Sequence, residues 1–206
     1  MNKRRWGMLL LAGLLTVPLA ACGKKDPGGA SSSAPPDEPA VSVIAPVEPE
    51  PEPEPVFPYA HPLTGEGLDQ DISGKRPIAV MFNNLKKALP QLGVSQADVV
   101  YEIVAEGGIT RMMGVFQELE GVGELGSIRS ARDYYVNLAL GHDAIYIHAG
   151  GSPQAYEALG SWGVTHIDFV NGPYGNMCWR DPDRRKNAGL EHSLLTSSEK
   201  VLEQMP

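Results

Sequence analysis

The stretch AIYIHAGGSPQAYEALGSWGVTHIDFV, residues Ala144–Val170, decides the fold of this chain. Its first part, Ala144–Gly150, is apolar and ends in glycine, which is typical of a buried strand. Ser152 then stands where a helix N-cap is expected, ahead of a short helix that ends near Gly163. A second short strand, Thr165–Val170, follows. Strand, helix and strand in this order predict a crossover that joins two parallel strands.

Two further helices are expected on either side of this unit. SARDYYVNLALG, Ser130–Gly141, predicts a helix that Gly141 closes, with Tyr134, Leu138 and Leu140 near one side. SSEKVLEQ, near the end of the chain, predicts one or two helical turns capped within the preceding Thr-Ser-Ser cluster.

Three strands are expected before the first helix. Pro77–Asn84 is a short apolar run bounded by proline and polar residues. Ala97–Glu106 and Ile109–Leu119 flank a Gly-Gly pair, which predicts an antiparallel hairpin. The sequence therefore predicts an α/β (mixed α+β) domain over residues 58–206. Its mixed parallel and antiparallel sheet has flanking helices and is preceded by a disordered linker.

The N-terminus has the form of an export signal. A basic start, MNKRR, precedes an apolar run that is short for a membrane-spanning helix, and Pro18 interrupts it. Leu19-Ala20-Ala21-Cys22-Gly23 resembles the bacterial lipobox, which predicts a lipoprotein signal peptide over 1–21 and a lipidated Cys22. The protein would then be lipid-anchored to the cell membrane on its extracytoplasmic face. An ordinary signal peptide followed by a chance cysteine is the alternative.

Residues 22–57 are expected to be a tether. The run PVEPEPEPEP alternates proline with glutamate, a pattern that favours an extended and self-repelling chain and forbids a helix. A spacer that holds the domain away from the membrane is the favoured interpretation, and a polyproline ligand for a partner is the alternative.

Charge and cysteine content exclude several classes of function. The chain carries 25 acids against 17 Lys and Arg, and it stays acidic beyond the tether, which argues against general nucleic-acid binding. If Cys22 carries lipid, Cys178 is alone, and its surroundings indicate a half-buried hydrophobic residue. The five histidines form no zinc-binding spacing and no phosphate-cradle motif is present, so we expect neither metal nor cofactor.

The segment GSIRSARDYY, Gly126–Tyr135, places two arginines at the expected start of a helix. Ser130 would be the N-cap, with Arg129 before it and Arg132 in the first turn. Because helix N-termini already favour anions, two guanidinium groups there predict a clamp for phosphate or carboxylate.

The alternative is that the two arginines pair with acids of this chain. Glu102, Glu106 or Asp133 could hold Arg129 and Arg132 and fix the helix to the sheet. Both interpretations stay open at the level of sequence.

A second group of candidate residues follows the strand that ends near His148. His148 precedes Gly150, Gly151 and Ser152, and a strand end followed by a glycine-rich turn and a helix cap commonly lines a binding crevice. A histidine of the core or of the turn is the alternative to a catalytic one.

The two glutamates of the hairpin offer a catalytic hypothesis. On one strand Glu102 and Glu106 would lie about 13 Å apart, too far for the carboxylate pair of a glycosidase. One of them could still act as a single acid or base beside Arg111.

Six blocks of the sequence, in this order, resemble one known family. The blocks are HPLTGEGLD, RPIAVMFNN, SQADVVYEIVAEGGITR, GSIRSARDYY, DAIYIHAGGSPQA and HSLLTS. They are similar to the YerB-like lipoproteins of Gram-positive bacteria, and the resemblance runs from His61 to the end. It implies a domain of unknown function, a lipid anchor, and a longer protein in which a second lobe follows Pro206.

Two functions are expected from these residues. The first is an extracytoplasmic lipoprotein that binds an anionic cell-envelope ligand, or an envelope protein, in a crevice rich in Arg, His and Gly. The second is a cell-wall hydrolase or transferase that uses His148 or Glu102. A scaffold in which the arginines act only as a brace is a third possibility.

Overall fold

The computed structural model describes residues 55–205. The signal peptide, Cys22 and all but the last residues of the predicted tether lie outside the described residues. The strands are β1 (Tyr59–Ala60), β2 (Gly67–Leu68), β3 (Ile78–Asn83), β4 (Val99–Val104), β5 (Thr110–Phe116), β6 (Glu124–Gly126), β7 (Ile145–His148), β8 (His166–Asp168), β9 (Cys178–Arg180) and β10 (Leu194–Ser197). The helices are α1 (Asp133–Gly141), α2 (Pro153–Ser161), α3 (Pro182–Asn187) and α4 (Ser198–Leu202). Short 3-10 turns cover Lys86–Ala88, Val94–Gln96, Glu106–Gly108 and Leu190–His192.

The main sheet has five strands in the order β4-β5-β3-β7-β8. β4 and β5 form the predicted antiparallel hairpin, and Gly107 and Gly108 in its turn have φ of 72° and 73°. A left-handed backbone of this kind favours glycine. β3 pairs antiparallel with β5 and parallel with β7, and β7 pairs parallel with β8 across α2. The prediction of a mixed sheet with flanking helices is confirmed.

β3 is the central strand because it is apolar on both faces. All six of its residues are buried. Ala79 and Met81 face one core, in which α1 and α2 cover the sheet, and Ile78, Val80 and Phe82 face the other. A strand buried on both sides is expected to be a continuous apolar run.

A smaller sheet covers the second face of the main sheet. Its strands lie in the order β6-β10-β9, all antiparallel, and α4 follows β10. Leu125 of β6 and Leu194 of β10 are buried here together with Met177 and Val201. The sequence pattern predicted α4 but missed β6, β9, β10 and α3, because three- and four-residue strands are too short to show a period.

A short segment, Ser127–Ala131, lies between β3 and β7 where these two strands part. We call it the insertion segment. The two strands pair only from Ile78 to Val80. Beyond that point Arg129 donates its N–H to Met81 (2.9 Å) and accepts one from Ala149 (3.0 Å), so it replaces the missing strand contact on both sides.

The insertion segment is anchored in both cores. Ile128 is buried with the small sheet and its N–H donates to the carbonyl of Leu194 at 2.8 Å. Ala131 is buried against the helices and its N–H donates to the carbonyl of Gly150 at 2.8 Å. Arg129 and Ser130, between them, are therefore held at the sheet edge by two buried neighbours.

The start of α1 differs from the sequence prediction. The helix begins at Asp133, its N-cap position is Arg132, and no side chain caps it, so the assignment of Ser130 as N-cap is wrong. Ser130 belongs to the extended insertion segment because the adjacent Ala131 bridges to Gly151 in a parallel register. The fully buried residues of α1 are Tyr135, Val136 and Ala139. Tyr134 and Leu138 pack at the margin of the same core, and Leu140 is exposed.

The described residues contain no membrane-spanning helix. In residues 55–205 no helix combines the length and apolar character that a bilayer crossing requires.

Ser152 caps α2 as predicted, and its removal tests the crossover. Its side-chain oxygen accepts the N–H of Ala155 at 3.1 Å. We expect Ser152→Ala to lower the free energy of unfolding by about 1 kcal/mol because an N–H of the first turn loses its partner. Urea unfolding followed by circular dichroism measures this. Ser161→Ala, at the exposed far end of the same helix, is the matched control and should change little. Equal effects of the two substitutions would contradict the capping role.

Candidate functional site

The polar side chains predicted for the site gather at one edge of the five-stranded sheet. Because β3, β7 and β8 are parallel, their carboxyl ends at Asn83, His148 and Asp168 lie on the same edge. β5 runs in the opposite direction and begins at this edge with Thr110. In α/β sheets the carboxyl ends of parallel strands commonly form ligand crevices. We refer to this edge as the polar edge.

Glu106 binds two of the predicted arginines. Its carboxylate accepts hydrogen bonds from Nε and Nη2 of Arg132, the latter at 3.0 Å, and Nη2 of Arg111 lies 3.4 Å away. The hydrogen bonds from Arg132 hold the pKa of Glu106 at about 2. A bidentate pair of this kind fixes geometry as well as charge. Arg132 is therefore a brace between the hairpin turn and α1.

Arg111 is a buried cation whose charge is compensated locally. Its side chain is only 5% exposed, and its Nη1 donates to the carbonyl of Ser130 at 2.8 Å. Burial first, and then the neighbouring Arg132 and Arg129, lower the pKa of Arg111. Because an unpaired buried charge is strongly unfavourable, the carboxylate of Glu106 and the carbonyl of Ser130 are what allow Arg111 to occupy this position.

Arg129 has a different partner from the ones predicted. Its Nη2 donates to Glu191 at 2.9 Å, in the turn Leu190–His192. The Arg129 side chain is 15% exposed whereas that of Glu191 is 68% exposed. The hydrogen bond from Arg129 lowers the pKa of Glu191. The two arginines of the segment thus hold separate carboxylates and do not converge on one point.

A small crevice lies beside Arg129. Its volume is about 150 Å³. A second cation, Arg180 of β9, borders it, and Nη1 of Arg180 donates to the carbonyl of Leu190 at 2.5 Å. The lining residues are Ile128, Arg129, Ser130, Ala149, Val170, Arg180, Leu190, Glu191 and Leu194. We call this the arginine crevice. Of the predicted site residues, Arg129 and Ser130 line it.

Glu102 stands apart from the arginines. Its Oε1 accepts hydrogen bonds from Thr110 Oγ1 (2.6 Å) and Asn84 Nδ2 (2.8 Å). β4 ends at Val104, so Glu106 belongs to the following 3-10 turn and does not continue the strand as the sequence pattern indicated. The two glutamates therefore bind different partners.

His148 lies in the core beneath the polar edge. It is 0% exposed. Its Nδ1 lies 2.9 Å from the carbonyl oxygen of Gly150 and therefore carries the proton of the bond. Its Nε2 lies 3.0 Å from Nδ1 of His166 and accepts from it when both rings are neutral. Burial lowers the pKa of both rings, which keeps the pair neutral at neutral pH.

Asp168, at the end of β8, organises the loop that follows His148. Its Oδ1 accepts the N–H of Gly150 (2.8 Å) and of Val170 (2.9 Å), and its Oδ2 accepts the hydroxyl of Tyr156 at 2.7 Å. Burial alone would raise the pKa of Asp168, but these hydrogen bonds bring it below the ordinary value. Gly150 and the neighbouring Gly151 are thus positioned by the scaffold, and neither lines the arginine crevice.

Three charged residues near the polar edge were not predicted from the sequence. Glu191 is 62 positions from its partner Arg129, and Arg180 belongs to β9, a strand that the sequence did not predict. Asp168 offered a signal, because an acid interrupts an otherwise apolar strand in THIDFV. Within residues 55–205 no group of three His, Cys, Asp or Glu side chains could hold a metal ion.

The mixed sheet with its flanking helices is an α/β domain that matches a known family. Residues 63–206 match the family described as "Protein of unknown function (DUF3048) N-terminal domain". The chain belongs to this family, and the resemblance noted in the sequence is confirmed.

One relative and one solved structure extend the comparison. The chain is 44% identical over 121 residues to a Bacillus subtilis (strain 168) protein named "Putative lipoprotein YerB", which is 58% of this chain and 35% of the relative. The crystal structure of the YerB protein from Bacillus subtilis matches with a TM-score of 0.63 at 36% identity, over 70% of this chain and 48% of that chain. The chain spans 35% of the curated relative and 48% of the solved structure.

The brace at Glu106 makes a pH-dependent prediction. The folded-state pKa of about 2 lies below the ordinary value of 4.5, so the carboxylate stabilises the fold above about pH 4.5 and loses this effect as the pH falls toward 2. We expect Glu106→Gln to lower the free energy of unfolding at neutral pH by about 1 kcal/mol, a modest value because a largely exposed carboxylate is screened by solvent. The difference from the unmodified chain should shrink with acid.

Urea unfolding at a series of pH values measures this difference. Glu102→Gln is the matched control, because it removes the same charge from a carboxylate whose partners are Thr110 and Asn84. A difference between Glu106→Gln and the unmodified chain that is constant from neutral pH to about pH 2 would contradict the brace.

Proposed function

We propose that this chain is a lipid-anchored, extracytoplasmic protein that binds an anionic envelope ligand in the arginine crevice. The ligand group is a phosphate or a carboxylate. The observation that carries the proposal is that two arginines, Arg129 and Arg180, line one small crevice. Guanidinium groups match the geometry of both anions and bind them with charge-assisted hydrogen bonds.

The arginine crevice is suited to an anion in size and in support. Its volume of about 150 Å³ accommodates a phosphate with part of the group that bears it. Arg129 is held by the insertion segment, whose backbone is bonded to both Met81 and Ala149. A binding group on such a rigid support loses little conformational entropy when the ligand arrives.

Glu191 acts in this proposal as a displaceable counter-ion. It neutralises Arg129 in the absence of ligand, yet its side chain is 68% exposed and belongs to a short turn. Because the Glu191 carboxylate can return to solvent and the incoming anion leaves Arg129 paired, the exchange costs little. The clamp predicted for Arg129 and Arg132 is thereby reassigned to Arg129 and Arg180, since Arg132 is bound to Glu106.

The hydrolase or transferase hypothesis has less support in the geometry. His148 is fully buried and both of its ring nitrogens have partners, so it offers no base to a substrate. Glu102 is exposed but is not among the residues that line the arginine crevice. The arginines that could stabilise a developing charge therefore do not share a site with His148 or Glu102, the candidates for proton transfer.

The lipid anchor is supported by the lipobox around Cys22 and by the name of the Bacillus subtilis relative. We expect the full chain to fractionate with membranes and Cys22→Ser to release it, because the acyl chains provide the membrane affinity. Immunoblots of membrane and soluble fractions measure this. Cys178→Ser is the matched control and should stay with membranes, because Cys178 lies within the folded domain. Membrane retention of Cys22→Ser would contradict the anchor.

Anion binding is tested with the full chain in mild detergent, titrated with orthophosphate by calorimetry. Arg129→Gln should weaken binding by about tenfold or more, because a hydrogen bond to a charged group is lost. Glu191→Gln should tighten it by about two- to fivefold, because the ligand no longer competes with a carboxylate.

Arg132→Gln is the matched control for this titration. It removes the same charge three residues further along the chain and outside the arginine crevice, so affinity should be retained although stability falls. Loss of stability in Glu191→Gln with no gain in affinity would reject the anion site in favour of a brace.

A further inference from the structure

The cations that form no salt bridge in the described part of the chain are concentrated in two places, one of which contains Arg180 at the arginine crevice. Five Lys and Arg side chains of residues 55–205 form salt bridges: Lys75, Arg76, Arg111, Arg129 and Arg132. All but one of the other cations in this range fall in two neighbouring places, the turn Lys86–Ala88 and the span from β9 through α3. They are Lys86, Lys87, Arg180, Arg184, Arg185 and Lys186. We call them the cationic surface, and Lys200 is the exception.

The two parts of the cationic surface are joined by direct contacts. Arg184 of α3 donates to the carbonyls of Ala88 (2.9 Å) and Pro90 (2.7 Å), which fastens the helix to the turn. Arg180 donates to Leu190 and borders the arginine crevice. Burial lowers the pKa of His192, and the charges of Arg129 and Lys87 lower it further. The turn Lys86–Ala88 therefore lies close enough to His192 for a lysine of the turn to act on that ring.

The surface carries more positive than negative charge in a chain that is acidic overall. Lys86, Lys87, Arg185 and Lys186 are exposed. Three acids lie among the cations: Asp181, Asp183 and Glu191. Asp181 is engaged as the cap of α3, where it accepts the N–H of Arg184 at 2.7 Å, and Glu191 is paired with Arg129. Concentrating cations in this way raises the local concentration of anions.

We propose that the ligand of the arginine crevice is part of a linear polymer of repeating phosphate groups, and that the cationic surface binds the phosphates that follow. This inference rests on the proposed function and names the class of its ligand. One phosphate contacts Arg129 and Arg180, and the chain then passes along α3 and the turn Lys86–Ala88.

The geometry favours a flexible polymer over other anions. A single small anion in the crevice would contact Arg180 and leave the other five cations of the surface without a bound anion. A flat anionic membrane could meet the exposed lysines, but Arg129 is only 15% exposed and lies within the crevice. A flexible chain reaches both, because each successive phosphate can adopt its own position.

The test compares orthophosphate with synthetic poly(glycerol phosphate), titrated into the full chain in mild detergent at several salt concentrations. Each phosphate that a single flexible strand contributes changes the slope of log K against log salt by about 0.7. We expect a steeper salt dependence and a higher affinity for the polymer than for orthophosphate.

Paired substitutions locate the polymer. Arg185→Gln with Lys186→Gln should reduce the polymer slope by about 1.4 and leave orthophosphate affinity unchanged. The matched control is Lys75→Gln with Arg76→Gln, which removes the same two charges ahead of β3, at the opposite edge of the sheet. It should leave both titrations unchanged.

The outcomes separate this inference from the function on which it rests. Orthophosphate binding that depends on Arg129, with a polymer slope no steeper than that of orthophosphate, would overturn the polymer and keep the anion site. If the polymer slope falls equally in the α3 variant and in the control, the proposal that the cationic surface binds the polymer is overturned. Binding of anionic phosphatidylglycerol vesicles by lipid-free protein more tightly than the polymer would replace the polymer by a membrane. Absence of any binding would reject both proposals.

Discussion

The insertion of Ser127–Ala131 between β3 and β7 is the constraint on which the rest of the domain depends. Two parallel strands that part would leave backbone groups without partners, and unpaired buried groups are unfavourable. The insertion segment supplies those partners, with Arg129 bonded to Met81 on one side and to Ala149 on the other. Because Ile128 and Ala131 belong to opposite cores, the segment cannot slide without disrupting both. Arg129 and Ser130, which lie between these two buried residues, are thereby held at the polar edge of a largely apolar sheet.

The charge arrangement follows from that position. Arg111 is buried next to the insertion segment and requires a counter-ion, and Glu106 supplies one carboxylate to both Arg111 and Arg132. Arg129 is left to Glu191, a carboxylate that is largely exposed. The same edge therefore contains Arg111, which is almost fully buried, and a second pair in which the carboxylate of Glu191 is largely exposed to solvent. The neighbouring arginines Arg129 and Arg132 are thus paired with carboxylates in different parts of the chain.

The sequence predicted the elements that have a period or a strong local signal. The crossover from Ala144 to Val170, the Gly-Gly hairpin and the Ser152 cap were all local patterns, and the structure confirms them. The prediction that α1 starts after Ser130 is wrong. The Ser-x-x-Asp spacing is compatible with a capping box, but it is equally compatible with an extended segment in which Ala131 pairs with Gly151. Glu191 and Arg180 could not be assigned to the site, because their position depends on the small sheet, whose short strands carry no period. Of the three acids expected to pair with Arg129 or Arg132, namely Glu102, Glu106 and Asp133, Glu106 alone does so among the described residues.

The small sheet determines which charged residues lie near Arg129. β10 pairs with β9 and also accepts the N–H of Ile128 from the insertion segment. β9 leads directly into α3, and the turn Leu190–His192 leads directly into β10. The contacts of β10 with β9 and with the insertion segment therefore bring Arg180, Glu191 and the cations of α3 to the same edge as Arg129. A domain whose net charge argues against binding polyanions can still present a local positive surface, because binding responds to the charges within about 8–10 Å and not to the sum over the chain.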